Sequence, residues 1–178
     1  MYDLGAAPYF DAAAGKPYGY YTGPADRLAD PAVINFSRFT LLRQVMEKNG
    51  DAHKLLWGGN FGWNSSPASV WGYATPDQQR DYTLAALRRA AAEWPWAGPL
   101  ALENYQPNLP PEDAHWGFAL VDSQGKASPL ADALSPFSLS LPPAILRPRI
   151  PMPITGGPGN FPIWARTFRR ISNPRGLS

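Results

Sequence analysis

The sequence contains no cysteine, only two histidines and no apolar run near the roughly 18 residues that a membrane-spanning helix needs. The absence of cysteine excludes disulfides, thiolate nucleophiles and cysteine-based zinc or iron–sulfur centres. The two histidines stand far apart, without carboxylates at helical spacing, so no metal site is predicted. Residues 1–4 lack the basic start and apolar core of a secretory signal, and the localisation stays open.

Acidic residues are absent from the last part of the chain. Residues 1–135 contain 10 Lys+Arg and 14 Asp+Glu, a net charge of −4, whereas residues 136–178 contain 6 Arg and no acid, a net charge of +6. Because the positive excess is confined to one end, and no helix-turn-helix pattern is present, nucleic acid is not a predicted partner. Nine of the 21 prolines also lie in residues 136–178, which predicts an extended or disordered tail after a folded region of residues 1–135.

Helical signals recur between short apolar runs. Asn35 is typical of an N-cap, and apolar residues follow it at three- and four-residue steps until Asn-Gly ends the pattern at residues 49–50. Thr75 opens a capping box with proline at the first helical position, which predicts a helix to about residue 93. A short closing helix is expected over residues 129–134.

Three segments are predicted as strands, over residues 2–9, 54–57 and 99–105. Their alternation with helices predicts parallel βα units and an α/β fold, as either a doubly wound sheet or an arc of a barrel. Residues 10–34 are rich in Gly, Pro, Tyr and Asp and are predicted as a long irregular loop. No Gly-x-Gly-x-x-Gly or Walker-type loop follows a strand, so no nucleotide or other cofactor is predicted.

Two of these segments resemble one family of enzymes. Residues 2–9 (YDLGAAPY) and 55–64 (LLWGGNFGWN) resemble the sixth and seventh strands of barrel glycoside hydrolases related to β-xylosidases and cellulases. The family patterns are aromatic-Asp-x-x-Gly-x-His-x-Tyr and apolar-Trp-x-Thr-Glu-x-Gly-Trp. Residues 79–129 are similar to the last helix, the eighth strand and the closing segment. The resemblance implies that residues 1–135 form about the last three βα units of a partial TIM (β/α)8 barrel.

The resemblance also implies a loss of catalytic groups. Retaining glycosidases use two carboxyl groups about 5–5.5 Å apart, one as acid/base and one as nucleophile. Asn60 stands at the position of the family's nucleophilic glutamate, and a neutral carboxamide is a poor nucleophile. The family's acid/base follows its fourth strand, which lies outside the matched region. Ala7 stands where the family usually has histidine. Glu103 stands where it usually has tryptophan, either as a recruited carboxylate or as a solvated strand-end residue.

Aromatic and amide side chains cluster where the predicted strands end. Barrel enzymes place their chemistry at the carboxyl ends of the strands, and the C–H faces of sugars pack on aromatic rings. For the tryptophans in the loops, a position in the core is an equal alternative, and for Trp57, inside a strand, the core is predicted. The candidate ligand contacts are Tyr9, Trp63, Trp71, Asn104 and Trp116.

Three functions are compatible with these observations. The first is a truncated glycoside hydrolase-like protein that is inactive as this chain, and the second is a non-catalytic carbohydrate-binding or scaffold fragment. The third is one half of a split or misannotated glycosidase gene whose other βα units are encoded upstream. Carbohydrate is the expected ligand in all three. Because three parallel strands leave open edges, a complementary barrel fragment is the expected partner.

Overall fold

The sheet is a parallel array of three strands. The structure, a computed structural model, describes residues 1–140. The strands are β1 (Ala12–Gly15), β2 (Leu55–Phe61) and β3 (Ala97–Leu102), hydrogen-bonded in the order β1-β2-β3. The predicted α/β class with parallel strands is confirmed. The tail predicted as extended or disordered lies, from residue 141 onward, outside the described residues.

Three α-helices alternate with the strands. Helix α1 (Phe39–Lys48) connects β1 to β2, α2 (Pro76–Glu93) connects β2 to β3, and α3 (Pro129–Ser140) follows β3. Within residues 1–140 no helix is long and apolar enough to cross a membrane. Four short 3-10 helices accompany them, at Tyr2–Leu4, Ala7–Tyr9, Phe36–Arg38 and Ala114–Phe118.

The predicted helix starts are confirmed by their hydrogen bonds. The Asn35 side chain accepts a hydrogen bond from the backbone N–H of Arg38 at 2.9 Å. The capping box is complete, since Thr75 Oγ1 accepts from the Gln78 N–H and the Gln78 side chain accepts from the Thr75 N–H. Helix α3 continues six residues past the predicted end at residue 134, with Pro136 inside it.

The first strand prediction is wrong. Residues 2–9 form two 3-10 helices, separated by Gly5 in the left-handed region at φ 72°, and β1 begins only at residue 12. This segment lies at the amino end of the sheet, because Lys54, just before β2, donates a hydrogen bond to the Ala7 carbonyl at 2.5 Å. The spacing of Ala7-Pro-Tyr9 recurs at residues 16–18 (Lys-Pro-Tyr), directly after β1. The residue that follows the strand is therefore a lysine, and Ala7 does not lie at a strand end.

The hydrophobic core lies between one face of the sheet and helices α1 and α2. Phe36 stacks on Trp94 with ring centroids 4.7 Å apart, and Trp94 stacks on Trp96 at 5.3 Å. Full burial of a large apolar side chain contributes about 1.5–3 kcal/mol, so these rings are major contributors to stability. The buried members of this core are Phe36, Phe39, Met46, Leu56, Phe61, Trp63, Ala74, Ala86, Ala90 and Trp94.

Arg89 of α2 fixes the loop that precedes α1. Its Nη1 donates to the carbonyls of Pro24, at 2.7 Å, and Asp26, at 3.1 Å, and contacts the hydroxyl of Ser37 at 2.8 Å. Its guanidinium also lies 5.3 Å from the ring centroid of Trp94. The segment predicted as a long irregular loop is thus tied to the second helix by charge-assisted hydrogen bonds.

The opposite face of the sheet is open. Trp57, predicted to be core, is 44% exposed on this face. It packs across Gly98 of β3, where an added Cβ would lie 2.3 Å from the indole. The prediction failed because alternation along β2 assigns Trp57 to the face that no other layer covers within residues 1–140. Its neighbours on this face are also exposed, namely Ala14, Gly59, Pro99 and Ala101.

Candidate functional site

The carboxyl ends of the three strands meet at one side of the sheet, here called the carboxyl edge. Tyr18, just after β1, forms a parallel bridge with Gly62, just after β2. The backbone N–H of Glu103, just after β3, donates to the Phe61 carbonyl at 3.2 Å. Gly62 has φ 145°, which L side chains rarely adopt, so this crossing point favours glycine. Side chains from three separate segments therefore converge here.

Asn60 is the last residue but one of β2 and lies close to this edge. It is half-buried, and its side chain makes no hydrogen bond within residues 1–140. The residue that follows it, Phe61, is paired in register with Leu102 of β3. Asn60 therefore places a neutral amide one residue before the pair that joins the ends of β2 and β3.

Glu103 has a specific partner. The Tyr18 hydroxyl donates a hydrogen bond to the Glu103 carboxylate across 85 residues of sequence. Burial of the phenol, and next the carboxylate that accepts its proton, raise the pKa of Tyr18 well above its ordinary value. The phenol therefore stays protonated at neutral pH and remains a donor to Glu103. Both partners are half-buried. The Glu103 carboxylate is therefore held at the carboxyl edge by a hydrogen bond and is not a freely solvated side chain.

Tyr18 also belongs to a row of rings, here called the aromatic arc. It runs Tyr20, Tyr18, Phe118, Trp71 and His115, with successive ring centroids 6.0, 5.6, 6.1 and 4.6 Å apart. The rings come from three loops that follow three different strands. Each tilted or edge-to-face ring pair at such a distance stabilises the fold by about 0.5–1.5 kcal/mol beyond the area that it buries.

A histidine–carboxylate pair closes one end of the aromatic arc. His115 Nδ1 lies 2.7 Å from Asp113 Oδ1, and the same oxygen accepts the backbone N–H of His115 at 2.9 Å. These two hydrogen bonds, the backbone one first, lower the pKa of Asp113. The His115 side chain is 40% exposed. The arc therefore ends in groups that can donate and accept hydrogen bonds at the protein surface.

Buried polar groups hold the loops of this edge together. Gln79 of α2 is 3% exposed, and its amide donates to the carbonyls of Trp63, at 2.7 Å, and Gly117, at 2.6 Å. The Gly117 carbonyl also accepts from the backbone and the hydroxyl of Ser65. Asn64, 1% exposed, donates to the Ala114 carbonyl at 2.8 Å. The loop after β2 and the 3-10 helix after β3 are thus fixed to each other and to α2.

The loops after β1 and β2 also contact each other at two residues with positive φ angles, Tyr20 and Gly72. Tyr20 has φ 53°, a left-handed conformation that is uncommon outside glycine. Gly72, at φ 81°, approaches so closely that an added Cβ would lie 2.5 Å from the Tyr20 carbonyl oxygen. The Tyr21 hydroxyl donates to the Val70 carbonyl at 3.1 Å. Such local strain persists only where the surroundings impose it, and it is common at functional sites.

Two of the candidate ligand contacts lie away from the surface of the carboxyl edge. Trp63 is 1% exposed, and its Nε1 donates to the Thr22 carbonyl at 2.7 Å. Its ring packs on Phe36, Phe61 and Tyr82 in the core, which is one of the two alternatives that the sequence left open for it. Tyr9 is 88% exposed, but it lies on the 3-10 helix before β1, at the amino end of the sheet. Tyr9 lies apart from the other candidates because residues 2–9, predicted as the first strand, precede β1 and do not form it.

The other candidates lie at or near the carboxyl edge. Trp71 belongs to the aromatic arc and is half-buried. Asn104 follows Glu103 and forms a parallel bridge with Ala119, which leaves its side chain half-buried at the same edge. Trp116 follows His115, and its Nε1 donates to the Pro110 carbonyl at 2.9 Å.

Sequence reasoning missed Tyr18, Phe118 and Gln79. A signal for Tyr18 was present, since Lys16-Pro-Tyr18 repeats the spacing of Ala7-Pro-Tyr9. No local signal marks Phe118 or Gln79, because their roles depend on contacts between distant segments. Across residues 1–140 no group of three or more His, Asp or Glu could hold a metal ion.

Comparisons with known proteins show a likeness of fold to one solved structure. No family model matches the sequence, and no curated protein matches it. Among solved structures, the chain is similar to a family 39 glycoside hydrolase from the gut symbiont Bacteroides cellulosilyticus WH2, with a TM-score of 0.60 and 18% sequence identity. The match covers 76% of this chain and 28% of that chain. The likeness is one of fold, and the chain spans about a quarter of the length of the hydrolase that it matches.

Proposed function

We propose that this chain is a glycoside hydrolase-like α/β protein that binds carbohydrate at its carboxyl edge without hydrolysing it alone. The observation that carries this proposal is Asn60, a carboxamide at the end of β2, where the family that it resembles has its nucleophilic glutamate. The fold likeness to a family 39 glycoside hydrolase supports a partial (β/α)8 barrel made of three βα units.

We expect no hydrolysis by this chain alone, because the side chain at the nucleophile position, Asn60, carries no charge. The nucleophile of a retaining glycosidase must be anionic to attack the anomeric carbon, and a second carboxyl group must protonate the leaving oxygen. Of the residues at or next to the carboxyl ends of the three strands, Glu103 alone carries a carboxylate, and it is hydrogen-bonded to Tyr18. One carboxylate cannot serve as nucleophile and acid/base in the same step. The loss of a nucleophile typically removes most of the rate.

Retention of binding is supported by the aromatic arc. Sugar rings present apolar C–H faces, which pack on aromatic faces, and hydroxyls, which need hydrogen-bonding groups beside those faces. Trp71 offers an aromatic ring at the surface, with His115 4.6 Å away between centroids. Glu103 and Asp113 lie beside the arc as acceptors. This combination of rings and polar groups is suited to carbohydrate.

Titration of the full chain with xylo- and cello-oligosaccharides, followed by intrinsic tryptophan fluorescence, tests the binding. We expect a saturable change in the wild type that Trp71→Ala weakens at least about tenfold, as loss of a stacking residue does. Trp57→Ala is the matched control, because it makes the same change at a tryptophan that is exposed on the open face of the sheet and not in the arc. A flat response up to millimolar sugar would end the binding proposal, and equal effects of the two variants would place the ligand elsewhere.

A second candidate function is favoured by the open face of the sheet. In a closed barrel this face is filled by side chains from the other strands, whereas here Trp57 is 44% exposed. We infer that the three βα units serve as one part of a larger barrel, whose other units would supply the acid/base carboxylate. The nucleotides upstream of the Met1 codon test this inference. A frame that codes for further βα units, with Asn-Glu at a strand end, supports it, and unrelated sequence contradicts it.

A further inference from the structure

An apolar groove runs along the outer side of α1. Its apolar lining includes Ile34, Leu42 and Val45, which are 44%, 44% and 49% exposed. Leu42 also packs onto the edge strand, where a Cβ added at Gly15 would lie 2.5 Å from Leu42 Cδ1. The groove therefore follows the seam between α1 and β1.

The lining residues have the spacing of a helix-packing face. Leu42 and Val45 stand three residues apart on one side of α1, and Arg38, the last residue of the preceding 3-10 helix, lines the same groove. Helix α1, from Phe39 to Lys48, is about 15 Å long at 1.5 Å per residue. Ridges of this kind pack against a second helix. An occupant with three turns of helix would cover the whole face.

All the charged residues that line the groove are cations. They are Lys16, Arg38 and Lys48, and none has an ion-pair partner within residues 1–140. Two acids close to α1 in sequence are already engaged, since Asp30 accepts the Ala32 N–H and Glu47 pairs with Arg43 at 2.7 Å. An occupant that carries acidic residues beside an apolar stripe would complement both the shape and the charge of the groove.

Charge argues against two other occupants. Residues 136–178 of this chain carry six Arg and no acid, so this segment would add like charge to the groove. A second copy docked through the same face would bring a second set of the same three cations, Lys16, Arg38 and Lys48, to the groove, which is unfavourable for the same reason.

We propose that the α1 groove binds an amphipathic helix, outside this 178-residue sequence, with acidic residues flanking its apolar stripe. This surface lies along α1, away from the carboxyl edge, and the proposal does not depend on carbohydrate binding. Recognition would combine burial of Ile34, Leu42 and Val45 with ion pairs at the two ends of the groove.

Two synthetic helical peptides of about three to four turns test the proposal against the full chain. Both carry the same leucine stripe, and their flanking positions are all glutamate in one and all lysine in the other. Fluorescence anisotropy of labelled peptide should show binding of the glutamate peptide only, weakened by salt at about 0.5 M. Leu42→Asp should abolish binding, and Lys48→Glu should weaken it about fivefold.

Control variants keep the test specific. Val70→Asp and Lys126→Glu make the same chemical changes at exposed positions outside the groove, and both should bind like the wild type. Circular dichroism melts identify any variant that has lost its fold, in which case Val45→Asp replaces Leu42→Asp. Equal binding of the two peptides, no binding at millimolar glutamate peptide, or binding unchanged by Leu42→Asp and Val45→Asp would overturn the proposal. So would a dimer in sedimentation equilibrium that Leu42→Asp dissociates, since the occupant would then be a second copy.

Discussion

Gly19 is the residue at which a single methyl group should disturb the carboxyl edge most. It is buried beside Trp63, and a Cβ added there would lie 1.7 Å from Cε2 and 1.9 Å from Nε1 of the indole. Trp63 has no free space to move into, because it is 1% exposed and its ring contacts Phe36, Phe61 and Tyr82. Gly19→Ala must therefore shift either the indole or the loop that carries Tyr18.

The magnitude follows from these contacts. Overpacking a well-filled core costs about 1–3 kcal/mol. Displacement of the indole also breaks the hydrogen bond from Trp63 Nε1 to the Thr22 carbonyl, which adds about 1 kcal/mol. We expect the free energy of unfolding to fall by about 2–4 kcal/mol. In a domain of this size that corresponds to a drop in Tm of roughly 5–15 °C.

Gly59→Ala is the matched control. A Cβ at Gly59 would meet only the Gly15 carbonyl oxygen at 3.7 Å and Ala14 Cβ at 3.9 Å, both ordinary contacts. Alanine there should leave Tm unchanged or raise it slightly, because it reduces the freedom of the unfolded chain. Thermal melts followed by near-UV circular dichroism, which reports on the buried indoles, compare the two variants. Equal Tm values would refute the packing described around Trp63.

Three further predictions address the polar contacts. Gln79→Leu removes the donor to two buried carbonyls and should lower the urea-unfolding free energy by about 2–3 kcal/mol; a loss below about 0.5 kcal/mol would contradict the role of Gln79. The hydrogen bond from Arg27 lowers the pKa of Glu93 to about 2 from an ordinary 4.5. Because the folded pKa is the lower one, this stability is complete above about pH 4.5 and is lost as the pH falls towards 2. The Tm of Arg27→Gln should therefore depend less on pH across that window, and parallel pH curves would argue against the pairing. Glu103→Gln removes the anion beside the Tyr18 phenol and should lower the pKa of Tyr18 in an ultraviolet titration, whereas an unchanged titration would exclude the contact.

Local sequence rules were sufficient for the helices that begin at Asn35 and Thr75. Each start depends on a side chain that bonds to backbone three residues away, and both sets of hydrogen bonds are formed. The parallel α/β arrangement followed from alternation of strands and helices. These features depend on residues that are neighbours in the chain.

Trp57, which was assigned wrongly, and Trp63, which was left open, show what local rules could not predict. Trp57 lies in a strand and was expected to be core, yet it is exposed because no other layer covers its face of the sheet within residues 1–140. Trp63 lies in a loop, yet it is buried because Gly19, more than 40 positions earlier, leaves room for its ring. Burial in both depends on packing between distant segments, which no sequence window contains.

The candidate site was predictable in part. Asn60, Glu103, Asn104 and Trp71 lie at or beside the carboxyl edge, as their positions after strand-like runs indicated. The hydrogen bond between Tyr18 and Glu103 joins residues 85 positions apart. It could not be predicted, because β1 was assigned ten residues too early and Tyr18 was therefore placed in a loop.

Saturation-transfer difference NMR of the full chain with a xylo-oligosaccharide tests binding without hydrolysis most directly. Binding beside the aromatic arc predicts transfer from the aromatic protons of the protein to the ring protons of the sugar. The absence of an anionic nucleophile at position 60 predicts that the reducing-end anomeric signals of the same sample stay constant over days. Growth of those signals that Glu103→Gln abolishes, or an absence of saturation transfer at millimolar sugar, would contradict the account.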